Sequence, residues 1–233
     1  MSNKPQYFSL KGDFFIREKG STSAPFYIGN ISAATFGMTR ETATLKSTGN
    51  ESGDLAVEEV SKSATLSLTM NSIAARNLAM QLYGTVQAQV AATAKAFSLP
   101  ILKEGEMFKL DHVNVSNVEI TGLVLGTDFK VLGAGGVIVA LKDISETAEG
   151  TYDAGTASAI GVFTTSGKEY EVTYVSENSG KTVIVRRWKP DPAQAFELIS
   201  SEFAAPQLTG PVLIDESIAE GPLGRFAVVY DSK

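Results

Sequence analysis

The segment VSENSGKTV carries Gly180, Lys181 and Thr182, the residue types with which a glycine-rich loop cradles a phosphate. The first glycine of that pattern falls at Val175, however. The residues that follow, VIVRRW, prefer β structure where a helix N-terminus must stand to present its amides. The segment is expected to be a hairpin turn. GVFTTSGKE fails by one residue too many between Gly161 and Gly167, and Glu169 stands where a hydroxyl would hold magnesium. LGAGGVI offers Gly133, Gly135 and Gly136, but Ile138 occupies the third glycine of a dinucleotide fingerprint and a β-branched run replaces the helix. A turn is expected there too.

His112 is the one histidine, so every Ser-His-Asp relay would have to pass through it, and no G-x-S-x-G surrounds any serine. Asp111 beside it lacks a second imidazole for a metal site, and His112 is expected to be a satisfied or surface residue. The acidic pairs Glu58–Glu59 and Asp215–Glu216 are expected to be solvated. Arg186, Arg187 and Trp188 are consecutive on a predicted strand, where neighbours point to opposite faces, so they form no basic patch. No catalytic residue, metal or cofactor is assigned, and the chain is expected not to be an enzyme.

The elements around these residues belong to a chain of 233 residues with 43% hydrophobic and 20% charged residues, a globular composition. Its formal net charge of -6 repels nucleic acid. The absence of cysteine excludes disulfides and cysteine nucleophiles and favours a reducing compartment. The start, MSNKPQYFSLKGDFFIREKG, lacks the apolar stretch of a signal peptide, and no run approaches the roughly 18 residues of a membrane span. A soluble protein made in the cytoplasm is expected.

In SATLSLTMNSIAARNLAMQLYG, residues Ala64, Leu66, Leu68 and Met70 alternate with Ser63, Thr65, Ser67 and Thr69, the pattern of a half-buried strand. Asn71 or Ser72 then caps a helix of about three turns, whose apolar stripe is Ala75, Leu78, Ala79 and Leu82 and whose left-handed end is Gly84. Most of the rest reads as strands: FYIGNISAATFGMTRETATLKS as two, broken near Gly37; VQAQVAATAKAFSLPIL, ended by Pro100; HVNVSNVEIT, with a bulge between Val115 and Val118; FKVLGAGGVIVALKD and KEYEVTYVSENSGKTVIVRRWKP as hairpins; then AFELISSEF and GRFAVVYD. Two polar, glycine-bearing stretches, about 46–61 and 142–161, read as long loops. No linker divides residues 1–233, and one domain is expected. The fold class is mainly β, a sandwich or barrel with one helix.

The YIGNIS segment, the polar glycine-bearing loop, the alternating strand and the helix closing in LAMQLYG together resemble the tail tube (major tail) proteins of long-tailed bacteriophages. The terminal PQLTGPVLIDESIAEGPLGRFAVVYD is similar to the end of such virion proteins, while the middle of the chain, about 86–196, carries none of the motifs. The resemblance implies a β-sandwich or half-open barrel flanked by one α-helix, whose inner sheet joins a ring-wide β-barrel in a homo-oligomer. Six-membered rings would stack into a tube and form the conduit for DNA ejection. The implied partners are further copies, other tail proteins (tape measure, terminator, distal tail) and DNA that passes without specific binding, with no membrane. The implied location is the virion tail, assembled in the host cytoplasm.

On this reading the 46–61 loop reaches the next ring, with Lys46, Asn50, Glu51, Asp54, Leu55, Val57, Glu58 and Glu59 as contact candidates. Ser63, Thr65, Ser67 and Thr69 would face the lumen, and Ala75, Leu78, Ala79 and Leu82 would pack the helix. The alternative is a β-sandwich that binds carbohydrate or decorates a capsid, using the aromatics Tyr152, Tyr170, Tyr174 and Trp188.

Overall fold

The computed structural model describes residues 11–48, 53–71, 74–193 and 205–232. The chain is mainly β, with one α-helix among the described residues. Where the sequence suggests a single domain, the fold divides into two compact units. One comprises the residues up to Thr85 and those from Val162 onward; the other is the intervening Val86–Gly161.

The first unit opens with β1 (Gly12–Glu18), β2 (Phe26–Tyr27), β3 (Ile31–Lys46), β4 (Asp54–Met70) and α1 (Ala75–Gln81). Eight strands follow before this unit resumes. They are β5 (Thr85–Gln89), β6 (Ala92–Leu99), β7 (Met107–Lys109), β8 (Val115–Ile120), β9 (Phe129–Leu132), β10 (Val137–Ala140), β11 (Ala148–Ala154) and β12 (Ala157–Gly161). The first unit is completed by β13 (Tyr170–Ser176), β14 (Lys181–Trp188), β15 (Gln207–Val212) and β16 (Ala227–Asp231).

The large sheet of the first unit runs β2-β1-β13-β14-β15-β4-β3, with β16 also paired to β14. Its β14–β15 junction has the one registered pair Trp188–Val212, flanked by backbone bonds from Lys189 N–H to the Pro211 carbonyl (3.0 Å) and from Leu213 N–H to the Arg187 carbonyl (2.7 Å), and the sheet forms two halves on either side of it. Between them lies a core of Phe14, Ile16, Leu66, Leu68, Val172, Val185, Trp188 and Leu208, among others. Trp188, fully buried, donates its indole N–H to the Gly210 carbonyl at 3.2 Å, which satisfies the one polar atom it brings inside. The barrel stays half open: a cleft of about 690 Å³ separates Ile31–Phe36 of β3 from Phe14, Tyr174 and Val183 of the opposite half.

Gly37 does not break β3. It pairs with Thr65 in the middle of the ladder, and a Cβ there would stand 2.8 Å from Thr65 Oγ1. The glycine makes room for a hydroxyl across the strand. Both stretches read as loops are largely strand. Residues 46–61 belong mainly to β3 and β4, with Asn50 and Glu51 outside the described residues. Residues 142–161 contain β11, a central strand paired to both β6 and β8, and β12. The expected strand AFELISSEF lies outside the described residues.

The helix is shorter than expected. It starts after Ala74, which makes no side-chain cap, and Asn71 precedes it by three residues. Its buried residues are Asn77, Ala79, Met80 and Gln81, while Ala75, Leu78 and Leu82 are half-buried. The polar Asn77 can turn inward because its amide donates to the Ile28 carbonyl at 2.6 Å. Met80, not Leu78, enters the core. The left-handed residue at the helix end is Tyr83 (φ 48°), and Gly84 follows it. The bonds Gly84 N–H to Ala79 O (2.7 Å) and Tyr83 N–H to Met80 O (3.5 Å) close the end.

In the second unit, two of three small sheets, β7-β10-β9 and β6-β11-β8, supply a separate core that includes Leu99, Val118, Phe129, Ile138 and Tyr152, while the third, β12-β5, adds no residue to it. The expected bulge in β8 is present: Val115, Val118 and Ile120 are buried, and Asn117 between them is left-handed (φ 49°). Pro100 follows the end of β6 as expected.

Candidate functional site

The residues that tempted a chemical reading are structural. Lys181 and Thr182 begin β14 after a turn in which Gly180 takes φ 63°. LGAGGVI is a turn between β9 and β10, with Gly136 left-handed. His112 Nδ1 lies 2.7 Å from the Tyr152 hydroxyl, a satisfied pair at the edge of the second core. Arg187 grips Glu169 through Nε (2.6 Å) and Nη2 (3.0 Å), and the guanidinium holds that carboxyl below its usual range against the opposing effect of burial. Asp215 departs from expectation: it is not solvated but buried, paired with Lys19 and bonded by Ser217. The signal for this was a lone lysine almost two hundred positions away, which spacing cannot reveal.

The feature that stands apart is the pair β3–β4. These strands have 16 and 17 residues, whereas an ordinary strand has about five or six. Near the core their inward face is Phe36, Leu66 and Leu68. Beyond Met38–Ala64 the pair continues as a ribbon exposed on both sides: every residue from Met38 to Lys46 and from Asp54 to Ser63 is exposed. Two extra residues on β4 adjust its register, Val60 opposite Glu41–Thr42 and Leu55 opposite Leu45–Lys46.

The ribbon carries exposed apolar side chains that a free surface does not require: Met38, Leu45, Leu55, Val57 and Val60 are each more than half exposed. Of the contact candidates, Lys46, Asp54, Leu55, Val57, Glu58 and Glu59 all lie on it, as strand residues and not loop residues. Met38, Leu45 and Val60 were missed. A two-stranded ribbon without a covered face is marginal in water, and an exposed edge with apolar residues is a template for association. β3 also ends the sheet order, so its outer edge has no partner strand among the described residues.

At the ribbon's root the outward face of β15-β4-β3 is free of charge. It presents Ala33, Thr35, Gly37 and Thr39 from β3, Ser63, Thr65, Ser67 and Thr69 from β4, and Gln207 and Thr209 from β15, in register. Ser63 and Thr65 are exposed; Ser67 and Thr69 are partly covered. Ser67 Oγ lies 2.9 Å from Thr209 Oγ1 and accepts from Gln207 Nε2 at 2.7 Å, so the hydroxyls are tied to one another across strands. The strand alternation expected from sequence is therefore present, with Ala64, Leu66, Leu68 and Met70 buried on the other face.

The aromatics proposed for a binding module are not at the surface. Trp188, Tyr152 and Tyr170 are buried, and Tyr174 packs partly buried against the first core beside Phe14. Burial above all pushes the Tyr170 hydroxyl up to about 12.

No curated protein matches the chain. Over residues 7–230 its sequence matches the family described as Protein of unknown function UCP028589, and the chain belongs to that family.

Proposed function

We propose that the chain is a structural virion protein that polymerises, as stacked and hexameric rings, into a phage tail tube through which DNA is ejected. The observation that carries this reading is the β3–β4 ribbon, solvent-exposed on both faces yet studded with Met38, Leu45, Leu55, Val57 and Val60. Such a ribbon gains most of its stability by being covered, and further copies of the chain are the coverings a tube supplies. The open outer edge of β3 suits pairing with a neighbouring subunit, which would extend the sheet around a ring.

The uncharged hydroxyl face of β15-β4-β3 suits a lumen wall: hydrated, short and without lysine or arginine to hold phosphate. In the assembled tail the chain would meet tape measure, terminator and distal tail proteins at the tube's ends and interior. The alternative, a carbohydrate-binding or capsid-decorating module, loses its support with the burial of its aromatics.

Negative-stain microscopy of the purified full chain, at rising concentration, tests the proposal. Rings or tubes with a central channel are the expected result. Dispersed particles of monomer size at every concentration would overturn it.

A further inference from the structure

β3 has no partner strand on its outer side among the described residues, and Ile31–Phe36 of that edge form one wall of the cleft of about 690 Å³. The opposite wall includes the start of β1. There β2 pairs only with Phe15 and Ile16, and the Ile28 N–H bonds to the Phe14 carbonyl at 3.1 Å. Gly12 and Asp13 thus have no strand on that side among the described residues. The floor is Phe14, Phe36, Leu66, Val172, Val183 and Val185, all in the first core or packed against it. Two strand edges therefore border an apolar floor. That is a slot for one extended segment, whose backbone bonds to the edge while every second side chain drops to the floor.

The sequence supplies a segment of that kind. Residues 1–10, MSNKPQYFSL, lie outside the described residues and end at Lys11, which lines the cleft. From Gln6 to Leu10 there is no charge, proline or glycine, and Phe8 and Leu10 alternate with Tyr7 and Ser9. Five extended residues span roughly 17 Å, close to the roughly 20 Å of Ile31–Phe36 along the cleft. A chain's own segment is poorly placed to enter. The Lys11 carbonyl accepts from the Glu177 N–H at 3.0 Å and the Tyr174 hydroxyl at 3.3 Å, so Lys11 continues β1 along β13. Turning back from there takes a reversal within Ser9, Leu10 and Lys11, none of which favours the left-handed backbone of a tight hairpin. A reversal at Pro5 would bring only Met1–Lys4 into the cleft, without Phe8 and Leu10. We infer that Gln6–Leu10 of one copy binds as an added strand along the outer edge of β3 in the cleft of a second copy, with Phe8 and Leu10 on the floor. This rests on the proposed polymerisation and names the strand that joins neighbours. Such an exchange runs around a ring when each copy gives to the next, and closes as a pair when two copies give to each other. The proposed ring requires the first.

The chain has no cysteine, so a bridge can be placed without background. The full chain is made with Ser9→Cys together with either Ala33→Cys or Thr35→Cys, which samples two neighbouring registers and keeps Phe8 and Leu10. Each double variant is oxidised and run on a non-reducing denaturing gel beside the single variants, with wild-type protein examined by microscopy in parallel. The expected result is covalent multimers beyond the dimer for at least one double variant, and at most dimers for the single ones. Dimers alone, formed by the double variants and not by the single ones, would keep the exchange and overturn the proposed ring. A bridge closed inside one chain overturns the inference. So does the absence of any bridge beyond those of the single variants while wild-type protein forms rings or tubes, and the proposed function then stands. With neither assemblies nor bridges, both fall. As a second readout, full chain carrying Phe8→Asp and Leu10→Asp should stay folded and bind a labelled synthetic peptide of residues 2–10. The peptide with the same two aspartates should bind more than about tenfold more weakly, because each apolar anchor is worth at least that. Equal binding of the two peptides would overturn the inference as well.

Discussion

Tyr83 ends α1 in a left-handed conformation, φ 48°, while its hydroxyl donates to the Pro190 carbonyl at 2.6 Å. The backbone strain that a tyrosine meets there is offset by what its side chain holds. The Tyr83 carbonyl accepts from the Thr165 amide (2.9 Å) and hydroxyl (3.0 Å), and Gly167 leaves no room for a Cβ beside its ring. Burial, then the Asp191 carboxylate, push its ionisation up, so the hydroxyl remains a donor. The tyrosine fastens the helix end to the segments before β13 and after β14.

Tyr83→Phe should therefore destabilise the chain by about 1–2 kcal/mol, since Pro190 loses its partner while the ring packing persists. Tyr83→Gly relaxes the backbone but loses both ring and bond, and should cost more. Urea denaturation of the three proteins decides this. A glycine variant more stable than the phenylalanine variant would show that backbone strain, not anchoring, dominates at this position.

Asp215 sets a second expectation. Burial alone would favour its protonated form, but the Lys19 ammonium and the hydrogen bonds from Ser217 Oγ (2.6 Å) and N–H (3.1 Å) outweigh it and hold the carboxyl at about 2. The folded value lies below the ordinary unfolded value of about 3.9. The stability this group gives is thus complete above about pH 4 and is lost as pH falls towards 2. Asp215→Asn should lower stability at pH 7 by about 2 kcal/mol and flatten the loss between pH 4 and pH 2. An acid limb as steep in the variant as in the wild type would assign that loss to other carboxylates.

Gln81 is fully buried, and neither its Nε2 nor its Oε1 has a hydrogen-bond partner among the described residues. Leaving both groups dry costs more than an apolar side chain of similar length would. Gln81→Met should stabilise the fold by about 1–3 kcal/mol. Met80→Ala, one residue away but inside the core, should destabilise it by about 2–5 kcal/mol. Thermal midpoints moving in opposite directions are expected. A drop for Gln81→Met would mean that the amide is needed where it stands.

These residues also show what the sequence could disclose. The alternation from Ser63 to Met70 was legible because one face of β4 is buried and the other wet. The same strand became illegible towards Asp54, where both faces are exposed and no period survives. β11 was hidden differently: its inward residues are Tyr152 and Ala154, and Asp153 between them, with Glu149 and Gly150 before them, gives a loop-like composition. The helix stripe was misplaced because hydropathy ranks Leu78 above Asn77, whereas the Ile28 carbonyl rewards the asparagine. In the candidate site, Leu55 and Val57 were found as apolar residues in a polar stretch. Met38 went unnoticed because its place at the ribbon's base is set only by the register of β3 with Ala64.

The outward face of β15-β4-β3 supports a last prediction, that in the assembled tube it lies against DNA without holding it. The outward-facing residues Ala33, Thr35, Gly37, Thr39, Ser63, Thr65, Ser67, Thr69, Gln207 and Thr209 carry no charge, and Ser67 is tied to Thr209 and Gln207 across the strands. The chain's net charge of -6 then sets the sign of the field from elsewhere on the subunit. At physiological salt the Debye length is about 8 Å, so in the proposed tube that field would act close to the wall and would keep phosphates from settling there. Thr39→Lys with Thr65→Lys places two cations on exposed positions of adjacent strands, repeated in every subunit. Tubes of this variant should bind duplex DNA at 50 mM salt and release it steeply as salt rises, because each phosphate contact formed displaces a counterion. Particles built with it should eject DNA slowly at low salt and recover at high salt. Wild-type tubes that bind duplex DNA tightly, or lysine variants that eject normally at both salts, would remove this face from the channel.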